Sequence, residues 1–196
     1  FGTNPCSEII LRSAQVCNLS EVVVRATDSF DDLKRKVEIA TILGTLQSSL
    51  TDFRYVRSVW KKNTQEECLL GVSMTGIMDH SVLSGKQASG TWFDHPNQPI
   101  LSDVLLRLKK VAIDTNLRWA NDLGVNQSTA ITCVKPSGTV SQLVDSASGI
   151  HARFSPYYIR RVRSDGKDPI SAFLKDAGVP WEKDVMNNEN YVFSFP

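Results

Sequence analysis

A short segment at the start of the chain holds three side chains that could do chemistry together. In TNPCSEI, Asn4 supplies an amide, Cys6 a thiol and Glu8 a carboxylate. Side chains two residues apart project to the same side of an extended backbone, and the proline between them disfavours a helical conformation at Asn4. If the segment is extended, an amide, a thiol and a carboxylate converge on one small ligand.

Spacing alone leaves other roles open for Cys6. One is purely structural, because most free cysteines are small, buried apolar residues. Zinc sites favour close pairs such as C-x-x-C, which the sequence lacks, and the three histidines, His80, His95 and His151, have no partner at ligand spacing. We therefore predict no metal site. A cysteine hydrolase would need one of these histidines near Cys6. A redox pair is also possible, because Cys17 follows after eleven residues and the chain could double back.

Composition and charge narrow the class of protein. The chain has 196 residues, of which 41% are hydrophobic and 22% charged, with a net charge of +1. This balance predicts neither nucleic acid nor a membrane as partner, and no apolar run reaches the roughly 18 residues of a membrane span. Four scattered cysteines do not make a disulfide framework, so we expect a reduced, cytoplasmic protein. A start at Phe1 and an end in the strand-like YVFSFP predict a piece of a longer protein.

The order of predicted elements is that of an α/β fold, with no signal for an internal domain boundary. Three adjacent valines predict a strand over residues 19–25, and helical spacing predicts a long helix capped by Asp28 or Ser29. A second long helix is predicted over 102–123, ended by Gly124. The other predicted elements are strands over 68–78, up to Val134 and over 157–164, a short helix after a turn at 136–139, and a helix over 170–178 begun by Pro169.

Two apolar stripes are predicted to face the core. The stripe of the first helix is Phe30, Leu33, Val37, Ala40, Leu43, Leu46 and Leu50. That of the second helix is Leu105, Leu108, Val111, Ala112 and Trp119. Residues 80–99 are rich in turn formers and are predicted to be loop or short helix.

A Pro-Ser-Gly-Thr turn at 136–139 is a second candidate site. Between a strand and a helix, such a turn can offer backbone N–H groups and hydroxyls to a phosphate, although it is not a Walker loop. Lys135 beside it could add positive charge or lie in solvent. The structural interpretation is favoured for His151, for Cys68 and Cys133 in apolar runs, and for the arginines of the strand over 157–164, which are Arg160, Arg161 and Arg163.

Several motifs together resemble one family. NPCSEI followed by CNL, then LGVSMTGIMD and KPSGTVSQL, occur in the order found in ribonucleotide reductases of the adenosylcobalamin-dependent class II. CNLSEVVVR and SGIHARFSPYYIRRVR are most similar to the monomeric branch that reduces ribonucleoside triphosphates. The resemblance covers essentially the whole chain. It implies the ten-stranded α/β barrel of radical reductases, of which residues 1–196 would form a partial catalytic domain truncated at both ends.

The resemblance implies a role for each residue of the NPCSEI motif. Cys6 matches the cysteine that becomes a thiyl radical and takes the hydrogen atom from C3′ of the ribose. Glu8 matches the carboxylate that accepts the proton of the 3′-hydroxyl, and Asn4 the amide that binds the sugar hydroxyls. Pro5 and Ser7, which an extended segment would point the other way, are expected to contribute to substrate binding.

Two further assignments come from the resemblance. Cys17 matches one of two cysteines whose oxidation to a disulfide supplies the electrons that reduce C2′, and its partner would lie upstream of Phe1. The implied loop for the substrate phosphates consists of Ser137, Gly138, Thr139, Val140 and Ser141.

The function implied is the reduction of ribonucleoside triphosphates to 2′-deoxyribonucleoside triphosphates for DNA synthesis. The implied cofactor is adenosylcobalamin, the reductant a thioredoxin-like protein or dithiol, and nucleotide effectors would bind outside this chain. Dimeric class II and class I enzymes that reduce diphosphates are the alternative, because they share the Asn-x-Cys-x-Glu pattern. A cysteine hydrolase or a non-catalytic nucleotide-binding domain is the distant alternative.

Overall fold

The computed structural model describes residues 1–85 and 101–196. These form two compact units, Phe1–Ala152 and Arg153–Pro196, each described by itself. Within the described residues, no helix combines the length and apolar character needed to cross a membrane.

Two predictions concern the course of the chain rather than single elements. Residues 80–85 of the predicted turn-rich stretch form a run of turns, and residues 86–99 lie outside the described residues. The prediction of a single partial domain over residues 1–196 stays a prediction.

The first unit begins with a small hairpin and continues into a parallel strand pair. Strands β1 (Gly2–Thr3) and β2 (Ile10–Leu11) are antiparallel. Strand β3 (Asn18–Val23) pairs in parallel with β4 (Leu70–Thr75), so the predicted strands over 19–25 and 68–78 are confirmed in their centres. A 3-10 turn at Ile77–Asp79 follows β4.

A third extended segment lies along β4, but it is not the regular strand predicted up to Val134. Its one bridge joins Val72 to Thr132 in parallel. The amide of Leu70 donates to the carbonyl of Ala130 at 2.9 Å, whereas a regular parallel ladder through that bridge would use Thr129. The pairing therefore slips by one residue, which interrupts the ladder.

Two long helices follow the predicted bounds closely. Helix α1 (Phe30–Ser48) has Ser29 as its N-cap, and the Ser29 hydroxyl accepts from the Asp32 amide at 3.2 Å in a capping box. After the shorter α2 (Ser58–Glu67), helix α3 (Leu101–Leu123) ends before Gly124, whose φ of +66° suits glycine. Both long helices and both caps are confirmed, whereas α2 was not predicted because it buries only one residue and has no apolar stripe.

The core lies between the strand pair and helices α1 and α3. Each apolar side chain buried there contributes about 1.5–3 kcal/mol. The main contributors are Val22, Val24, Leu33, Val37, Leu70, Val72, Val104, Leu108 and Ala112.

The predicted stripe of α1 is wrong in the second half of the helix. Leu43 and Leu50 are 58% and 72% exposed, and the buried face consists of Thr41, Gly44, Thr45 and Ser48. Small residues are required there because a Cβ on Gly44 would stand 3.0 Å from the Leu70 side chain. Close approach of the helix to β4 therefore decides which face is buried.

In α3 the stripe is shifted in the same way. Leu108 and Ala112 are buried as predicted, but Leu105 is 41% exposed and Asn116 is fully buried. The Asn116 amide donates to Thr45 Oγ1 at 3.0 Å and to Ser128 Oγ at 2.9 Å, and its oxygen accepts from the Ser128 amide. A satisfied polar side chain thus joins α3 to α1 and to the segment that leads to the third extended stretch.

The second unit is an antiparallel sheet with one helix. Its elements are β5 (Arg160–Asp165), α5 (Pro169–Asp176), β6 (Trp181–Lys183) and β7 (Asn190–Phe195), with strand order β5-β7-β6. Asp168 caps the predicted helix by accepting from the Ile170 amide at 2.9 Å. The structural interpretation favoured for the arginines agrees with two ion pairs, Arg161 with Glu182 and Arg163 with Asp184.

Candidate functional site

The segment that carries Cys6 is a tight turn at the end of the N-terminal hairpin. TNPCSEI is therefore not extended, and the condition under which its three side chains would converge is not met. The Ser7 amide donates to the Asn4 carbonyl at 2.9 Å, and Ser7 has a φ of +63°. Proline suits the second position of such a turn because its ring fixes φ. The Asn4 side chain also stabilises the turn, since its Oδ1 accepts a hydrogen bond from the Ile9 amide at 3.0 Å.

Within the turn, the predicted site residues differ in their exposure to solvent. Cys6 lies at the exposed tip together with Pro5 and Ser7, whereas Asn4 is buried and Glu8 half-buried at the base. The hydrogen bond of Asn4 to Ile9 uses the amide oxygen, which leaves the amide N–H groups outside that bond. The hairpin thus presents a thiol at its tip and an amide and a carboxylate behind it.

The carboxylate of Glu8 is the least expected feature of the hairpin. Both its oxygens are buried, and neither has a hydrogen-bond partner in the described part of the chain. Burial of an unpaired carboxylate is costly, and such a group in a folded protein calls for an explanation such as strain, a catalytic role or a bound water or ion. Glu8 therefore stays a candidate for the predicted base.

Two thiols lie within electrostatic reach of Glu8. Burial raises the pKa of Cys17, just before β3, and the charge of Glu8 raises it further, against a lowering backbone hydrogen bond. Burial, followed by Glu8 and Cys17, raises the pKa of Cys133 to about 11. Both groups therefore stay protonated thiols at neutral pH, the form that carries a hydrogen for transfer.

Sequence reasoning missed the position of Cys133. The residue sits in the slipped segment beside β4, where Gly71 leaves room for it: a Cβ on Gly71 would stand 3.0 Å from the Cys133 sulfur. No local pattern in the sequence signals this position, because it depends on the pairing of distant segments.

The charge of Glu8 gives a test of this arrangement. In Glu8→Gln we expect Cys17 to react with iodoacetamide at pH 8 about threefold to tenfold faster, because removal of a negative charge lowers the thiol pKa and increases the thiolate fraction. Mass spectrometry of the labelled complete protein would measure the rate at each cysteine. The matched control is Glu38→Gln on α1, which should leave the rate unchanged, and an unchanged rate in Glu8→Gln would contradict the placement of Glu8.

The predicted phosphate loop has a buried and an exposed part. Ser137 and Ser141 are buried, whereas Gly138, Thr139 and Val140 are exposed. The Ser141 hydroxyl donates to the carbonyls of Ser137 and Gly138, both at 2.9 Å, and the Ser137 carbonyl also accepts from Ser148. Ser141 therefore supports the loop from inside.

The loop ends in the short helix α4 (Thr139–Leu143) and rests on the end of β4. The N-cap of α4 is Gly138, which has no side chain to cap the helix. Behind it, the Gly149 amide donates to Thr75 Oγ1 at 2.9 Å, and a Cβ on Gly149 would approach the Lys135 carbonyl to 3.1 Å. Lys135 itself donates to the Pro136 carbonyl at 3.1 Å, so its ammonium group stays beside the loop.

His80 gives little support to a hydrolase or a metal centre, and His95 lies outside the described residues. His80 is buried, and its Nδ1 accepts from the amides of Val82 and Leu83, while its Nε2 lies 3.0 Å from the Asp28 carbonyl. Both ring nitrogens are thus used locally. Residues 1–85 and 101–196 contain no cluster of three or more metal-ligating side chains.

Comparison with known proteins gives one consistent result. No protein-family model matches the chain. Over its whole length the chain is 32% identical to the adenosylcobalamin-dependent ribonucleoside-triphosphate reductase of Lactobacillus acidophilus and 28% identical to that of Lactobacillus leichmannii, and it spans 28% of each relative. A crystal structure of a B12-dependent class II ribonucleotide reductase matches the whole chain with a TM-score of 0.74 at 27% identity, and the chain covers 29% of it.

Over its whole length the chain is similar to class II ribonucleotide reductases in sequence and in fold. The predicted α/β class is confirmed, and the fold is part of the α/β barrel of a class II reductase. The roles predicted for the hairpin and loop residues of this chain stay predictions.

Proposed function

We propose that the complete protein containing this chain reduces ribonucleoside triphosphates to their 2′-deoxy forms. The observation that carries this proposal is the hairpin, which sets the Cys6 thiol at an exposed tip with the buried, unpartnered carboxylate of Glu8 behind it. The names of the relatives, which are triphosphate reductases, support the same substrate class over the diphosphate alternative.

Cys6 carries the first step in this proposal. When bound, adenosylcobalamin supplies a radical that removes a hydrogen atom from a thiol. The exposed position of Cys6 at the hairpin tip fits such a group, and Cys6 is the residue of this chain that we expect to meet it. The Cys6 sulfur then takes the hydrogen atom from C3′ of the ribose.

Glu8 and Asn4 act on the sugar hydroxyls. Glu8 accepts the proton of the 3′-hydroxyl, and this hydrogen bond completes a carboxylate that has no partner within the described residues. Asn4 donates from its amide nitrogen while its oxygen holds the turn through Ile9. Pro5 and Ser7 line the tip on either side of Cys6 and contact the substrate there.

Cys17 supplies reducing equivalents. As the hydroxyl on C2′ leaves as water, the thiols of Cys17 and an upstream cysteine give up two electrons and two protons and form a disulfide. Cys6 then returns its hydrogen atom to C3′, which completes the deoxynucleotide and regenerates the radical on the Cys6 sulfur. A raised pKa keeps Cys17 in the hydrogen-bearing form that this step consumes. A thioredoxin-like protein or a dithiol then reduces the disulfide, which suits the reducing conditions of the cytoplasm.

The exposed part of the 137–141 loop binds the substrate phosphates. Gly138 and Val140 offer backbone N–H groups, and Thr139 adds a hydroxyl, whereas Ser137 and Ser141 hold the loop from its buried side. Nucleotide effectors bind outside this chain.

An assay of the complete protein tests the proposal. With adenosylcobalamin and a dithiol, we expect ribonucleoside triphosphates to yield deoxyribonucleoside triphosphates, with no product when the cofactor is omitted. Chromatography of labelled nucleotide would measure the product. Equal rates with ribonucleoside diphosphates would contradict the substrate class, and product without cobalamin would contradict the cofactor.

A further inference from the structure

Glu21 on β3 is a charged residue with no role in the chemistry described so far. It alternates with Val22, which is 3% exposed and packs in the core, so the Glu21 side chain leaves the opposite face of the strand. On β4 its register partner is Ser73, which is buried. Glu21 is thus a half-buried carboxylate on the face of the sheet that does not meet the helices.

One oxygen of Glu21 reaches the phosphate loop. The Ser137 hydroxyl donates to Glu21 Oε2 at 3.0 Å, a contact between residues 116 positions apart in sequence. Ser137 is 2% exposed, so the donor end of this bond is shielded from water, whereas Glu21 is half-buried. A hydrogen bond to a charged acceptor in such surroundings is stronger than one between neutral groups. The second oxygen, Oε1, is buried and has no partner in residues 1–85 and 101–196.

The hydroxyl protons of Ser137 and Ser141 are therefore already used in hydrogen bonds within the protein. That of Ser137 goes to Glu21, and that of Ser141 goes to backbone carbonyls of the same loop. Neither hydroxyl has a proton left for an anion, because each has only one, and that of Ser141 is shared between the carbonyls of Ser137 and Gly138. Thr139, which is exposed, is the loop hydroxyl available to a phosphate.

We propose that Glu21 is a positioning residue for the substrate phosphates. From the sheet side it holds Ser137, and it thereby fixes the 137–141 loop in the conformation that presents its backbone N–H groups and Thr139 outward. In this arrangement the buried hydroxyl of Ser137 separates the Glu21 carboxylate from the exposed part of the loop. The negative carboxylate and the negative substrate phosphates are thereby kept apart. This inference rests on the proposed function, because it assumes that the loop binds phosphate.

Steady-state kinetics of the complete enzyme test the role of Glu21, with inorganic tripolyphosphate as a competitive inhibitor that reports the phosphate site. In Glu21→Ala we expect the KM for CTP and the inhibition constant of tripolyphosphate to rise about tenfold, with kcat within twofold. Ser137→Ala removes the same bond from the other side and should give the same rise. Combining the two changes should add no further loss, because they share one interaction.

Two more variants separate the possible outcomes. Glu21→Gln should bind tripolyphosphate nearly as the unmodified enzyme does, since its amide oxygen accepts the same bond, and a loss equal to that of Glu21→Ala would overturn the hydrogen-bond role. Thr139→Ala should weaken tripolyphosphate binding by itself. If Thr139→Ala does so while Glu21→Ala and Ser137→Ala do not, Glu21 has no positioning role although the phosphate loop stands. If none of the three does, the phosphate loop falls and the role of Glu21 with it. Glu38→Ala on α1 is the matched control and should change neither constant.

Discussion

Replacing Cys6 by serine in the complete enzyme is expected to abolish nucleotide reduction before any bond of the substrate breaks. A serine O–H bond is too strong to give its hydrogen to the radical that the cofactor supplies, so the C3′–H bond stays intact. We expect product formation to fall by at least about a thousandfold. Release of tritium from 3′-labelled nucleotide would measure the first step separately, and it should be absent.

Cys68→Ala is the matched control for that experiment. Cys68 ends helix α2 with a buried thiol that lies 3.4 Å from the Gln65 carbonyl, and it takes no part in the proposed chemistry. The control should keep its activity. Tritium release from the Cys6→Ser enzyme would remove Cys6 from the radical position.

The second large effect is expected from Cys17→Ser. Here Cys6 still takes the hydrogen atom from C3′, but the substrate radical then lacks its reductant. We expect abortive breakdown, with release of the nucleobase and loss of enzyme activity, in place of deoxynucleotide formation. Assay of free base from labelled nucleotide would measure this outcome.

The contrast between the two variants carries the assignment of roles. Tritium release should be absent from Cys6→Ser and present in Cys17→Ser, while neither makes deoxynucleotide. An equal and silent loss in both would mean that the two cysteines do not divide radical and reductant between them, and the role of Cys17 would be the first to fall.

Local signals in the sequence predicted most of the secondary structure. Ser29 with Asp32 marks the start of α1, and Gly124 marks the end of α3, because caps depend on a few neighbouring residues. Burial was harder to predict. Leu43 faces outward and Thr45 inward because α1 approaches β4 closely, a condition set by Leu70 and Asn116 far along the chain.

The geometry of the candidate site was also hard to predict, because it too depends on contacts between distant parts of the chain. The roles of the NPCSEI residues stay predictions, and the segment is a turn and not an extended strand, because the hydrogen bonds between Asn4 and Ile9 close it. No local pattern could place Cys133 near Glu8 or join Glu21 to Ser137. Those contacts depend on a sheet that brings residues from three distant segments side by side.

The parallel pairing of β3 with β4 also bears on the order in which the protein folds. Joining these strands closes a loop of about fifty residues, and the Glu21–Ser137 contact spans 116 positions. Long loops lose much entropy before their contacts offset it, so such contacts form late, after the helices and the hairpin. During synthesis the hairpin with Cys6 leaves the ribosome before residue 137 does. The nascent chain therefore exposes the Cys6 thiol well before the 137–141 loop can contact β3.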